Sequence, residues 1–160
     1  MLGKKLGIDL GTANSVVFVQ GEGVVLMEPT VVAIDLDTRT VIAVGTKAKQ
    51  MIGKTPENIV ARRPLREGVI ADSRITEALL RYFYDQALGK SRLFKPDVVI
   101  SVPAGITSVE ERAVHKAANA VGSRTVTLLP EPLLAALGAG LPIHTSSGNM
   151  IVNMGGGTSE

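Results

Sequence analysis

The chain opens with short apolar runs separated by glycine, proline and acidic residues. Leu6, Ile8 and Leu10 predict a strand over residues 4–10 that ends in the turn Asp9-Leu10-Gly11-Thr12. A second strand is predicted over 15–20. Gly21-Glu22-Gly23 reads as a tight hairpin turn into a third over 24–27, which makes an opening meander. Glu28-Pro29 is expected to break it. Strands over 30–34 and 40–44 then flank a turn at 35–39, and 46–52 predicts a short helix closed by Gly53. Residues 55–72 have no clear period, carry Pro56 and Pro64, and hold the charged run Arg62-Arg63-Pro64-Leu65-Arg66-Glu67. They read as an extended surface segment, either a solvated loop or a contact for another subunit.

From Ile75 the apolar spacing becomes helical. Ile75, Leu79, Tyr82, Phe83 and Gln86 recur at three and four residues, and Gly89 ends the pattern. Leu93 and Phe94 follow in a loop between basic residues; they either pack under the sheet or form an apolar tip that touches an anionic membrane. Residues 97–102 predict a central strand covered on both faces. Thr107-Ser108-Val109-Glu110 matches a capping box that starts a helix to about 121, with Val109, Ala113, Ala117 and Val121 on one face. A strand over 125–129 and a helix from 133 with Pro132 in its first turn come next, and 149–154 predicts a last strand. Strands alternating with helices imply parallel pairing and right-handed crossovers. Joined to the meander, they predict an α/β fold with a mixed five-stranded sheet.

Composition narrows the picture. One hundred and sixty residues, 45% of them apolar, suit a single folded unit with a real core. A net charge of +2 does not advertise nucleic-acid binding, although the pI is about 9.0. The lack of cysteine excludes a disulfide framework and thiolate metal sites, and agrees with a reducing compartment. Asp9 interrupts the first apolar run, against a signal peptide. The most apolar window, 125–143, contains Glu131 and three prolines, too broken for a membrane span.

The candidate chemistry lies at strand ends. An acid beside a glycine turn suits a metal-bound phosphate, with open amides facing phosphate oxygens and the carboxylate holding the metal through its waters. The bland alternative for Asp9 is an Asp-capped hairpin turn. Asn149-Met150-Ile151-Val152-Asn153-Met154-Gly155-Gly156-Gly157-Thr158 repeats the order strand, polar residue, glycine, threonine. It suggests an internal duplication whose two turns clamp one phosphate chain; otherwise the three glycines are a flexible tail. In an open α/β sheet ligands sit beyond the carboxyl ends of the strands, where Asp9, Glu131 and Asn153 all fall. Glu131 is either a helix-terminal acid complementing the dipole or the acid that orients a water for attack on a terminal phosphate. His115 and His144 read as surface residues.

Several motifs together resemble the MreB/Mbl family of bacterial actins, the rod-shape-determining proteins. They are Asp9-Leu10-Gly11-Thr12-Ala13-Asn14, Glu28 to Asp35, Arg63 to Asp72, Pro103-Ala104-Gly105-Ile106-Thr107, Glu131-Pro132 and Gly155-Gly156-Gly157-Thr158. The resemblance runs from about residue 5 to 160 and implies an actin-like ATPase core, of the ribonuclease H-like type, over 1–31 and 73–160, with a small α+β subdomain inserted over 32–72. It implies an ATP- and Mg2+-dependent filament-forming protein, cytoplasmic and peripherally membrane-associated, that guides cell-wall synthesis; its partners would be copies of itself, the inner face of the cytoplasmic membrane and the wall-synthesis machinery. By the same similarity Gly11, Thr12, Ala13 and Asn14 form the first phosphate loop and Gly155, Gly156, Gly157 and Thr158 the second. Asp9 orients magnesium waters, Glu131 orients the attacking water, and Leu93 and Phe94 touch the membrane. The family pattern has Asp where this chain has Asn153, which supplies no negative charge and so holds a cation less well. Only the first half of the family fold is represented, and the last strand is expected to leave a bare sheet edge. Two alternatives stand beside the ATPase: a non-catalytic fragment that folds as the first actin-like half and binds membrane or full-length subunits, and a free-standing small phosphate-binding enzyme.

Overall fold

The computed structural model describes residues 3–89 and 94–160. Alternation drives the first elements: β1 (Lys5–Leu10) and β2 (Asn14–Val19) each bury every second side chain. β3 (Gly23–Pro29) completes the meander. It does not break at Glu28-Pro29 as expected, because Pro29 pairs with Asn14 at the last position of an edge strand, where a missing N–H is tolerated. β4 (Val32–Asp35), β5 (Val41–Val44) and β6 (Ile59–Arg62) form a separate antiparallel sheet in the order β5-β4-β6. α1 (Thr46–Met51) packs on it through Ala48, in a small core with Val31 and Ala33. The Glu28 carboxylate accepts from Thr46 N at 2.7 Å and from its hydroxyl at 2.6 Å, satisfying the start of α1 from a neighbouring strand.

The stretch 55–72 is not the extended loop its lack of period suggested. It contains β6 and a two-residue ribbon, β7 (Leu65–Arg66) and β8 (Val69–Ile70), with Pro64 and Leu65 buried. α2 (Ser73–Leu88) follows, capped by the Asp72 carboxylate, which accepts from Arg74 N and Ile75 N at 3.1 Å each. Its buried stripe is Ile75, Thr76, Leu79, Leu80, Phe83, Tyr84 and Ala87; Gln86 is exposed and Tyr82 only half-buried, contrary to the expected face.

β9 (Asp97–Val102), α3 (Ser108–Ala120), β10 (Thr125–Pro130) and α4 (Glu131–Gly138) complete the described elements. The capping box at Thr107 and Glu110 is present. α3 buries Val114, Ala117 and Ala118 while Val109 is 66% exposed, so the helix is rotated by about one residue from the predicted face. The main sheet is mixed and five-stranded, as predicted, in the order β10-β9-β1-β2-β3, with β9 parallel to both β1 and β10. α2 and α3 cover one face of it, over Leu6, Ile8, Leu10, Val17, Val19, Val98, Ile100 and Val102. The predicted last strand does not pair into a sheet. Residues 149–153 have no ladder, and Met150 and Met154 are 85% and 78% exposed. The bare sheet edge expected there is instead a tight hairpin that begins at Asn153.

Candidate phosphate-binding cleft

The two glycine loops meet at one place. Asp9, Gly11, Thr12, Ala13 and Asn14 line a cleft of about 300 Å³ together with Asn153, Gly155, Gly156, Gly157 and Thr158, and Glu131 and Gly68 complete its walls. The turn between β1 and β2 is tight enough that a side chain at Gly11 would lie 2.5 Å from the Asn14 carbonyl oxygen. The second loop is closed by its own backbone. Asn153 and Glu160 exchange hydrogen bonds of 2.7 and 2.8 Å, and Gly155 N donates to the Thr158 carbonyl at 2.8 Å. A Cβ on Gly156 would stand 2.3 Å from the Ala13 Cβ, and one on Gly157 would stand 2.8 Å from Thr12 Oγ1. Only glycine allows this approach, and it leaves open backbone on both sides of the cleft. That cradle fits a chain of phosphates, which a flexible tail would not build.

Polar side chains surround it. Ser101, the one polar residue among Val98 to Val102, is buried; its Oγ accepts from Leu10 N at 3.3 Å and donates to Asp9 Oδ1 at 2.8 Å, fixing the carboxylate at the cleft. Glu131 opens α4 at the end of β10, with Pro132 in the first turn. Its Oε2 accepts from Asn153 Nδ2 at 3.2 Å. Burial, then the charge of Asp9, then that of Glu160 together with a hydrogen bond to it push the Glu131 carboxyl up to about 7, while the Asn153 bond acts the other way. Glu160 accepts from Ala104 N at 2.7 Å through one oxygen, and its other oxygen is buried without an N–H partner. The Glu131 and Glu160 carboxyls thus stand near one another at the cleft, and their mutual repulsion adds to the effect of burial on Glu131. A carboxyl poised between its two protonation states can take a proton from a nearby water.

Next to the cleft, a more apolar cavity of about 370 Å³ runs between the open face of the sheet and α4. It is lined by Gly7, Phe18, Val99, Leu134 and Ala135 and shares Asp9, Glu131 and Asn153 with the cleft. Among the described residues no group of three or more His, Cys, Asp or Glu side chains could hold a metal directly; Asp9 and Asn153 suit a cation held through waters. Phe94 lies apart from the site, before the opposite end of β9, and is 52% exposed. Leu93 lies outside the described residues. Sequence reasoning missed Ser101, whose signal was its lone polarity in an apolar strand, and Arg63 and Gly68, which no local pattern joins to residue 12.

A mixed sheet of this order with paired glycine turns at one cleft defines the actin-like class. The structure matches MreB5 of Spiroplasma citri bound to AMPPNP with a TM-score of 0.90 and 35% identity, over 99% of this chain and 48% of that one. It matches the MamK double helical filament with a TM-score of 0.80 and 25% identity, over 98% of this chain and 48% of that one. Residues 3–160 match the model of the MreB/Mbl protein family, and the chain belongs to that family. It is 53% identical over 160 residues to the cell shape-determining protein Mbl of Bacillus cereus and 48% identical over 165 residues to the cell shape-determining protein MreB of Escherichia coli. Each alignment takes in the whole of this chain, which spans about half the length of the curated relatives it matches.

Proposed function

We propose that this chain supplies one wall of an ATP-binding cleft in an actin-like cytoskeletal protein, one that assembles into filaments with copies of itself and sets cell shape by guiding wall synthesis at the inner face of the cytoplasmic membrane. The observation that carries the reading is the meeting of the two glycine loops, with Gly156 against Ala13. In this reading residues 1–31 and 73–160 are the core and 32–72 an inserted subdomain. Gly11 to Asn14 and Gly155 to Thr158 bind the phosphates, and Asp9 and Asn153 hold the waters of Mg2+. ATP supplies the phosphoanhydride bond to be cleaved. Glu131 orients the attacking water and accepts its proton at the carboxylate. The S. citri relative bound to AMPPNP supports nucleotide as the ligand, and the MamK filament supports self-association.

A second reading, nucleotide binding with little turnover, is favoured by the Asn153 amide. It engages the acid that must accept the proton, and it lacks the charge that would hold a cation. Titration of a fluorescent ATP analogue and phosphate release by the purified 160-residue chain test both. Micromolar affinity with steady release supports the first reading, and affinity without release the second. No affinity at all refutes the nucleotide assignment. Asn153→Asp is expected to raise hydrolysis, and no gain would count against the second reading.

A further inference from the structure

Residues 63–68, which follow β6 and take in β7 and the turn to β8, touch both glycine loops of the cleft. One terminal nitrogen of Arg63 donates to the carbonyl oxygens of Thr12 at 3.0 Å and Ala13 at 2.9 Å. The buried Thr30 completes the set: its Oγ1 donates to the Gly11 carbonyl at 2.6 Å and its N donates to the Ala13 carbonyl at 3.0 Å. Three consecutive carbonyls of the first loop are thus held on the side away from the cleft. In a planar trans peptide the next N–H points opposite to the carbonyl. The N–H groups of Thr12, Ala13 and Asn14 therefore turn the other way, and the Ala13 nitrogen lies 3.6 Å from where a Gly156 Cβ would stand. Gly68 N donates to Thr12 Oγ1 at 2.9 Å, which leaves the Thr12 hydroxyl proton free for an anion. Gly68 has a φ of +77°, and a Cβ there would meet Pro103 at 2.5 Å and Thr158 at 3.5 Å, so the segment lies as a strap across both loops.

We infer that Arg63 is a positioning residue for the first phosphate loop: it holds two of the loop's carbonyls outward so that three amides and one hydroxyl face the anion, and the strap ending at Gly68 locks that arrangement against the second loop. Arg63 does not touch the ligand itself. Its guanidinium is suited to the task because it stays charged and presents fixed, planar donors to two acceptors at once. The inference rests on the phosphate assignment of the cleft, so its test has a readout that needs no nucleotide.

That readout is the backbone 15N order parameters of Thr12, Ala13 and Asn14 in the nucleotide-free chain, compared among the parent, Arg63→Ala and Arg63→Lys. Amides of Leu79 and Ile100 serve as internal references. The parent loop is expected near the rigid value of about 0.85 and Arg63→Ala below about 0.6, with the references unmoved. Affinity for the fluorescent ATP analogue with Mg2+ is expected to fall about tenfold in Arg63→Ala, the scale of losing charge-assisted hydrogen bonds to backbone. Arg63→Lys keeps the charge on a shorter side chain without the planar terminal nitrogen that reaches both carbonyls, and is expected to recover only part of either effect; full recovery of affinity with a mobile loop would mean that charge alone matters, and would overturn the inference. Unchanged order parameters in Arg63→Ala overturn it whatever the nucleotide does. If the parent binds no ATP, the phosphate assignment fails while the order parameters still decide whether Arg63 fixes the loop. If Arg63→Ala moves the reference amides too, the same comparison is made on Arg63→Lys, where a still loop overturns the inference.

Discussion

The surroundings of the Glu131 carboxyl in the cleft make a prediction with a definite sign. Its pKa rises from an ordinary 4.5 to about 7 in the folded chain, chiefly through burial and the nearby charge of Asp9. The folded state thus binds a proton more tightly than the unfolded chain, so stability falls as pH rises between those two values, and the cost is complete above the upper one. Glu131→Gln removes the cost. By thermal unfolding it is expected to match the parent near about pH 4 and to exceed it near about pH 8; an equal difference at both would contradict the assignment. The glycines give a second test at this scale. Gly156→Ala places a Cβ 2.3 Å from Ala13, whereas Gly155→Ala meets nothing nearer than the Thr158 carbonyl at 3.4 Å. The first is expected to lower ATP-analogue affinity at least about tenfold, and the second to leave affinity near that of the parent. That Asp9, Asn153 and both loops line one cleft could be expected from the sequence because the pattern is local: an acid or amide followed by glycines. Ser101, Thr30 and Arg63 could not, because each acts on a residue between 17 and 92 positions away, through the fold.

At the scale of elements, what could be read depended on period and caps. β1, β2 and β9 announce themselves by alternation or by a continuous apolar run, and α3 by its capping box. The helix faces were harder. In α3 the small residues Ala113, Ala117, Ala118 and Ala120 give little contrast, and Val109 draws the eye to a face that the structure leaves in water. The buried row is Val114, Ala117, Ala118 and Val121. In chemical denaturation Val114→Ala is expected to cost about 2 kcal/mol as a small cavity opens, and Val109→Ser to stay within about 0.5 kcal/mol. The reverse order would restore the face read from sequence. Strands of two to four residues in 55–72 were invisible because so short a run shows no period, and Leu65 is buried by the tertiary fold rather than by a pattern. Residues 149–154 failed for the opposite reason: their β-like composition is clear, but no described strand lies alongside to pair with them.

At the scale of the molecule, the two glycine loops meet at one edge of the sheet, and Phe94 lies toward the other. No helix among the described residues is long and apolar enough to cross a membrane; the lipid contact in the proposed function is tested at the loop that holds Phe94. Phe94 suits it. It exposes 52% of its surface just before β9, and the sequence around it, Lys90-Ser91-Arg92-Leu93-Phe94-Lys95, sets two apolar residues among three cations. Such a tip would bury its apolar side chains at the headgroup boundary while the cations meet anionic lipid, and that attraction weakens as salt screens it. The parent chain is expected to co-sediment with vesicles containing anionic lipid and to be released as ionic strength rises. Changing Leu93→Ser and Phe94→Ser together is expected to abolish co-sedimentation and leave the circular dichroism spectrum unchanged; for Phe94 the reason is that a side chain already half in water adds little to the core. Undiminished binding by the double variant would remove this loop from the membrane contact. Loss of the folded spectrum would show instead that the pair packs beneath the sheet, the alternative its sequence also allowed.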